Sequence, residues 1–561
     1  MKKSIFSHIA PIAVLIIVVS ALAVSTPRHR TPSQNLADST AAGSNPLAEP
    51  QVKSTPDPRE DIAPPITAKN VKVKTIRGTS GPEIPFVGKI SPKNIVRTNK
   101  LSRQTEKEEK QFSEKFLRKM KKKENLKRQI VQQRPSTSSK EGDEGAEARA
   151  SFDIGGDAGD PPDNAVAVSE NGFIVSADNG KINFFKTDGT QLDSLTYPDF
   201  LSALSTADED TGDPKVIYDT EDARFIFCIQ FADRTKVALA FSTAEDPRED
   251  WNLYLRETRP DNDGLHFDYP SLSVNYHEVF LSGNIFDDNS RVGNMIMAID
   301  KDDGYAGRGL TWQRWDDLTP DWSWESVGQM FGVRAARASY YGPGHYFVST
   351  KYSGGHELYL FHITDHLFND PVLKKYTIDI GPYDPPANAF QPDTDERLDI
   401  ADCRITGAYY QNRKIYFVFT KDDGHAFGGI AFYRLRLSSL NYKRWFFHDD
   451  QNSDYTYANL ANRGEYEDYS RAVIVYLRSG KHTFPQIRMR LFNASMEPVR
   501  RSSTIKRGEH FRENNKSAPA RWGDYIGIQR EFGTQRAWVT GHIANASHEW
   551  RSRLISIDLP R

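Results

Sequence analysis

Carboxylates recur along this chain at the openings of short apolar runs. Asp163, Asp213, Asp268, Asp402, Asp468 and Asp524 each begin a segment in which an apolar run, a turn and a second apolar run follow in order. The copies read DNAVAVSENGFIVSA, DPKVIYDTEDARFIFCI, DYPSLSVNYHEVFLSG, DCRITGAYYQNRKIYFVF, DYSRAVIVYLRSG and DYIGIQREFGTQRAWVTG. Carboxylates brought together raise one another's pKa or recruit a hard cation such as Ca²⁺, which takes about six to eight oxygen ligands. Paired carboxyl groups also supply the general acid and base of glycoside hydrolysis. A plainer use competes with both: Asp at a strand-opening turn accepts hydrogen bonds from backbone amides. Spacing alone does not separate these uses.

What positions the carboxylates is a repeat. The Asp residues are spaced by roughly 50 to 70 residues, a period suited to a propeller blade, with one double gap between Asp268 and Asp402. RASYYGPGHYFVSTKY fills that gap, with Arg334 at the offset where the other copies carry Asp. A further strand follows each hairpin: KINFFKTDG, KVALAFSTAED, NMIMAIDKDDG, ELYLFHITD, GIAFYRLRLSS, IRMRLFNAS and RLISIDLPR. Their alternation of apolar and polar residues and their content of Val, Ile, Phe and Tyr predict half-buried strands. A hairpin of this size cannot bury its own face and is stable only when stacked on neighbours. The fold expected is therefore all-β, a seven-bladed β-propeller over residues 149–561, with Asp163, Asp213, Asp268, Arg334, Asp402, Asp468 and Asp524 at the channel mouth. Ring closure predicts that Ala150 to Ile154 forms the outer strand of the last blade, because a closed circle leaves fewer sheet edges open to pairing with other chains.

Ahead of the repeats the composition changes. Residues 1–150 carry 28 Lys and Arg against 15 Asp and Glu, and the remainder carries 45 against 60, so a net charge of −2 hides a basic leader and an acidic body. Opposed halves of this kind suit either an interaction arm or intramolecular attraction. Lys2 and Lys3 precede an apolar stretch ending in Ala21-Leu22-Ala23, so residues 1–24 are expected to be a signal peptide, or a membrane anchor if uncleaved, and the protein to be exported: secreted, periplasmic or anchored. Residues 25–100 are rich in Pro, Ser, Thr and Ala and are expected to be a disordered linker. Residues 101–135 change to Lys, Glu, Gln and Leu and predict a basic helical segment, with Phe112, Phe116, Met120 and Leu126 on one face. The segment suits contact with membrane or cell wall, or a solvated spacer. Residues 136–148 complete the linker.

Several chemistries are excluded or lose support. No G-x-S-x-G, H-E-x-x-H, phosphate-cradling loop or dinucleotide fingerprint occurs, and an acidic body is unsuited to nucleic acid. Cys228 and Cys403 fall in blades that do not touch, which predicts buried free thiols. The acidic loops at residues 208–213, 261–264, 287–290 and 300–304 lack the twelfth-position Glu of an EF-hand.

The blocks PPDNAVAVSENGFIVSADN, GDPKVIYDTEDARFIF, FDYPSLSVNYHEVFLSGN, RWGDYIGIQREFGTQRAWVTGHI and EWRSRL resemble a family of large secreted bacterial β-propeller proteins of sialidase-like architecture. The resemblance covers about residues 151 to 561 and implies the propeller fold and export, while the family has no agreed activity. Thr420 to Phe427 resembles the Asp-box of sialidases, a structural turn remote from catalysis. Two functions follow as expectations: a module at the cell envelope that binds glycan or protein, with Trp312, Trp315, Trp322 and Trp324 suited to such contacts, or a sialidase-like glycoside-processing enzyme using the mouth carboxylates. No spacing selects catalytic residues, and Ca²⁺ is the one cofactor the acidic ring suggests.

Overall fold

A computed structural model describes residues 71–95, 114–133, 148–154 and most of 159–559. The signal segment expected at residues 1–24 lies outside the described residues. Seven antiparallel sheets form, and their first strands are Ala165–Val168, Thr211–Asp219, Leu265–Val274, Arg334–Ala335, Ile405–Gln411, Ser453–Asn462 and Gly527–Glu531. Each first strand lies beside the next, and the seventh beside the first, so the sheets close into a ring of seven blades.

The third strands, expected to be half-buried from their alternation, are buried almost throughout, as in Lys236–Ser242 and Gly428–Arg436, and the inner strands are buried on both faces. Thr211–Asp219 and Ala472–Gly480 are buried throughout. Their side chains alternate between two interfaces: Val216 and Tyr218 join the apolar cluster shared with blade 1, and Ile217 joins the cluster shared with blade 3. Seven such clusters occupy the seven inter-blade interfaces, including one between the last blade and the first that holds Val166, Ile174, Trp538 and Leu554. A strand with a period of two feeds a core on each side, and this is why the runs read as almost continuously apolar.

The closing strand is β4, which follows β1 (Lys72–Arg77), β2 (Thr79–Ser80) and β3 (Phe86–Ile90) in the chain. β4, Ala148–Asp153, pairs antiparallel with Trp550–Asp558, Phe152 opposite Leu554, and so completes the sheet begun by the C-terminal strands. Phe152 stacks on Trp538 with 6.2 Å between ring centroids.

Two expectations are corrected. Part of the expected disordered linker is ordered: β1, β2 and β3 add a fifth strand to the outer edges of blades 4, 3 and 2 in turn. Composition misses this because an edge strand needs little apolar burial of its own; the exposed backbone groups of the outer strands supply its partners. The second correction concerns blade 6. DYSRAVIVYLRSG opens the second strand, Ala472–Gly480, and the innermost strand is Ser453–Asn462. Asp468 itself lies outside the described residues.

The basic helix is present as α1, Glu114–Gln133. Among the described residues no helix is long and apolar enough to cross a membrane.

Candidate functional site

Antiparallel meandering sends every first strand away from the same end of the ring. That end, the entry face, also carries the turns between second and third strands and the connections from blade to blade. Just before or within the first strands the backbone kinks to positive φ: Asp163 at 36°, Asp213 at 54°, Tyr269 at 59°, Tyr457 at 47° and Gly523 at 114°. Register shifts in blades 2, 3 and 6 fall at these kinks. Asp tolerates the left-handed region because its short side chain bonds locally. In blade 6 the equivalent place is held by Tyr457, which explains why counting Asp residues misplaced that blade.

The kinks bring three predicted carboxylates together. One oxygen from each of Asp163, Asp213 and Asp524 lies within 4.8 Å of the others, and the three residues are at most 3% exposed. Asp163 is a clasp between blades 7 and 1: its Oδ1 accepts from the Asp524 backbone N–H at 2.5 Å and its Oδ2 from the Asn179 side-chain amide at 3.0 Å. Asp213 donates its backbone N–H to Asn179 Oδ1 at 2.8 Å, while its own buried Oδ1 has no hydrogen-bond partner among the described residues. Asp524 accepts from Arg521 at 2.8 Å, with Arg404 Nη1 3.7 Å from its other oxygen.

The remaining positions separate. Asp268, also buried, accepts from Gln230 at 3.0 Å. Asp402 holds Arg404 bidentately, at 2.9 Å through both Nε and Nη2, and takes the Arg404 backbone N–H, the turn role expected of an Asp here. Arg334 lies on the innermost strand of blade 4 and pairs with Val348.

Burial raises the pKa of Asp163 to about 6, with the Asp524 charge adding to it and Arg521 opposing. Asp213 is pushed well above the carboxylate range, first by burial and then by the charges of Asp163 and Asp268. Removing carboxylates from water disfavours their ionised form, and crowding like charges adds to that. The cluster therefore holds protons at pH values where exposed Asp does not.

As a Ca²⁺ cage the set is poor. Both Asp163 oxygens and one Asp524 oxygen already accept hydrogen bonds, which leaves far fewer than the six to eight ligands the ion takes. The acidic loop at 300–304 serves another purpose, since Asp300 caps the helix Lys301–Ala306 by accepting from Asp302 and Asp303, and Asp303 holds Arg308.

Sequence reasoning missed the partners Asn179, Gln230 and Arg521, although RWGDY flagged the last. Each residue of that block has a job. Arg521 pairs with Asp524, the Trp522 carbonyl meets His542, and Tyr525 donates its hydroxyl to the Pro214 carbonyl at 3.0 Å. A Cβ at Gly523 would lie 3.0 Å from the His542 ring. His542 also meets Asn164 at 3.0 Å, and burial lowers its pKa to about 3, so it is neutral. RWGDY is an inter-blade lock.

Other candidates fall to structural roles. Trp312 and Trp315 are buried, Trp312 donating to the Pro82 carbonyl at 2.8 Å, which places it against the N-terminal strap. Trp322 and Trp324 lie outside the described residues. Cys228 and Cys403 are buried and free. In the Asp-box-like turn, Asp422 accepts from the Gly424 and Ala426 amides and Asp423 from those of His425 and Phe427.

The turn also anchors α1. Lys119, Lys123 and Lys127 reach Asp384, Asp422 and Asp454 on the entry face. The docked face of the helix is thus its lysine row, and Leu126 of the expected apolar stripe is 42% exposed. Basic leader and acidic body meet within one chain.

Fold and site together define a seven-bladed β-propeller with a buried carboxylate cluster at its entry face. No protein-family model matches the chain, and no curated protein matches it. Among solved structures it is similar to a chain in the mitotic checkpoint complex, with 11% identity and TM-score 0.39 over 74% of this chain and 93% of that one. It is also similar to the WD40 domain of SCAP from fission yeast, with 9% identity and TM-score 0.31 over 71% and 97%. A quinonprotein alcohol dehydrogenase-like protein from Bacteroides thetaiotaomicron gives 9% identity and TM-score 0.33 over 61% and 66%. Overlaps at these values carry no argument about activity or partner.

Proposed function

We propose that this protein is an exported β-propeller that acts at the cell envelope or outside the cell as a module binding glycan or protein. The observation that supports this over glycoside processing is the burial of the mouth carboxylates. A glycosidase needs an acid and a second carboxylate on either side of a sugar, roughly 5 to 9.5 Å apart and open to it. Asp163, Asp213, Asp268 and Asp524 are at most 3% exposed, and Asp163, Asp268 and Asp524 are bonded to protein groups. The cluster then works as a fastening between blades 7, 1 and 2, and ligands meet the loops around it. Export rests on the apolar N-terminal stretch and on the resemblance to secreted propellers.

A glycan array probed with the full chain, followed by product analysis of every bound sugar, tests the reading. Binding without turnover is expected, and release of product from any bound sugar would replace the module by an enzyme. N-terminal sequencing of the mature protein checks export, with cleavage after Ala23 expected and a start at Met1 pointing to an anchor.

A further inference from the structure

The entry face contains a finished pocket for an ammonium group, and the chain fills it with its own Lys127. The Lys127 side chain is 1% exposed and its Nζ donates to Asp454 Oδ1 at 2.6 Å, to the Asn388 carbonyl at 2.9 Å and to the Ala387 carbonyl at 3.0 Å. Three donors thus find three acceptors, the full capacity of an ammonium. The Phe427 ring lies 4.8 Å and the Phe390 ring 5.7 Å from the same nitrogen, so two aromatic faces complete the cage. Asp454 is fixed in turn by the Gly428 amide at 2.8 Å. One turn back along α1, Lys123 pairs with Asp422 and donates to the Pro385 carbonyl at 2.6 Å; a further turn back, Lys119 meets Asp384. Spacing by four residues puts all three lysines on one helix face.

Beside the lysine row, Glu124 of the helix accepts from the Asn388 side-chain amide at 3.2 Å. α1 pairs with no strand, Lys127 is its single buried side chain among the described residues, and Met120, Ile130 and Val131 are only half-buried. Burying an ion pair returns little net energy, because desolvation offsets the attraction, and the Lys119–Asp384 pair is open to solvent and salt. α1 belongs to the same chain, so its docking carries no cost of bringing two molecules together.

We propose that this groove is a receptor for a lysine-bearing helical segment of a partner protein, with lysines spaced by four residues, and that α1 is its intramolecular stand-in. The inference rests on the binding reading and names the partner's chemistry. A partner helix gains the site by displacing α1, so occupancy is competitive and weakens with salt.

The test uses the full chain in two forms, wild type and Lys119→Gln/Lys123→Gln/Lys127→Gln, with thermal unfolding as the check on folding. The probe is a fluorescent peptide carrying the sequence of residues 112–135, and the control is the same peptide with those three lysines as Gln. Fluorescence anisotropy is expected to show the probe binding the triple variant at least tenfold more tightly than wild type, with the control failing to bind. Asp454→Asn in the triple variant is expected to weaken the probe at least tenfold. Should the triple variant fail to fold, Lys127→Gln alone takes its place with the same expectations. A folded variant that ignores the probe, or binds probe and control alike, overturns the proposal. Glycan binding by that same chain would leave the broader module reading standing.

Discussion

Replacing Asp163 by Asn separates the ionisation of the mouth cluster from its geometry. The carboxyl is fully buried and its pKa stands at about 6 against an ordinary 3.8. One unit is worth about 1.4 kcal/mol, so ionised Asp163 costs the folded state about 3 kcal/mol. The sign follows from the direction: the folded pKa lies above the unfolded one, so the stability tied to the bound proton is complete below about pH 4 and is lost as pH rises through about 6. Asn carries no proton to lose. It keeps an oxygen for the Asp524 amide but turns an N–H₂ toward the Asn179 amide, 3.0 Å away, and this lost bond costs about 1 to 3 kcal/mol at every pH. Asp163→Asn is therefore expected to be less stable than wild type at pH 4.5 and to draw level with it, or pass it, at pH 8. The difference between the two proteins should swing by about 2 kcal/mol over that range, because about 1 kcal/mol of the full effect is already spent at pH 4.5. Urea unfolding followed by Trp fluorescence at pH 4.5, 5.5, 7 and 8 measures it. A difference that stays constant across those pH values, or grows against Asn as pH rises, would refute the assignment of a buried, proton-holding Asp163.

Three further outcomes are expected. Deleting residues 148–156 removes β4 and should abolish cooperative unfolding, since the last blade loses its outer strand; an unchanged transition would mean that the ring does not depend on this closure. Neither EDTA nor millimolar Ca²⁺ should move the melting temperature at pH 8, because both Asp163 oxygens and one of Asp524 are already committed to hydrogen bonds; stabilisation by Ca²⁺ that disappears in Asp213→Asn would establish a metal site. Thiol labelling without reductant should modify both Cys228 and Cys403 in the unfolded chain and neither in the folded one.

The blades were legible because the physics of a strand is local. Apolar runs bounded by turns, repeated at one period, and a third run such as KVALAFSTAED after each hairpin are visible without any long-range knowledge. The closing strand was legible as well, since a ring must dispose of its two ends and Ala150 to Ile154 lies directly ahead of the first repeat. The sixth innermost strand was misread because a kink can be made by Tyr457 as well as by Asp, and the sequence offers no marker for a backbone angle held by its surroundings. The strap over blades 2 to 4 was invisible for a related reason: KVKTIR and FVGKI look like linker until the outer strands of distant blades offer them partners.

For the site, residue types alone determined that carboxylates would gather at one end of the ring, because equivalent positions of a circular repeat converge. Which of them meet was decided by the tertiary structure: Asp163, Asp213 and Asp524 share one buried space, whereas Asp402 is drawn away by its bidentate bond to Arg404. Composition likewise fixed that a basic leader faced an acidic body, and only the folded ring, by placing Asp384, Asp422 and Asp454 within reach of one row of lysines, turned that imbalance into a specific contact. Charge is carried by the residues themselves, but its effect depends on distance and on exclusion of water, and both of those exist only once the chain is folded.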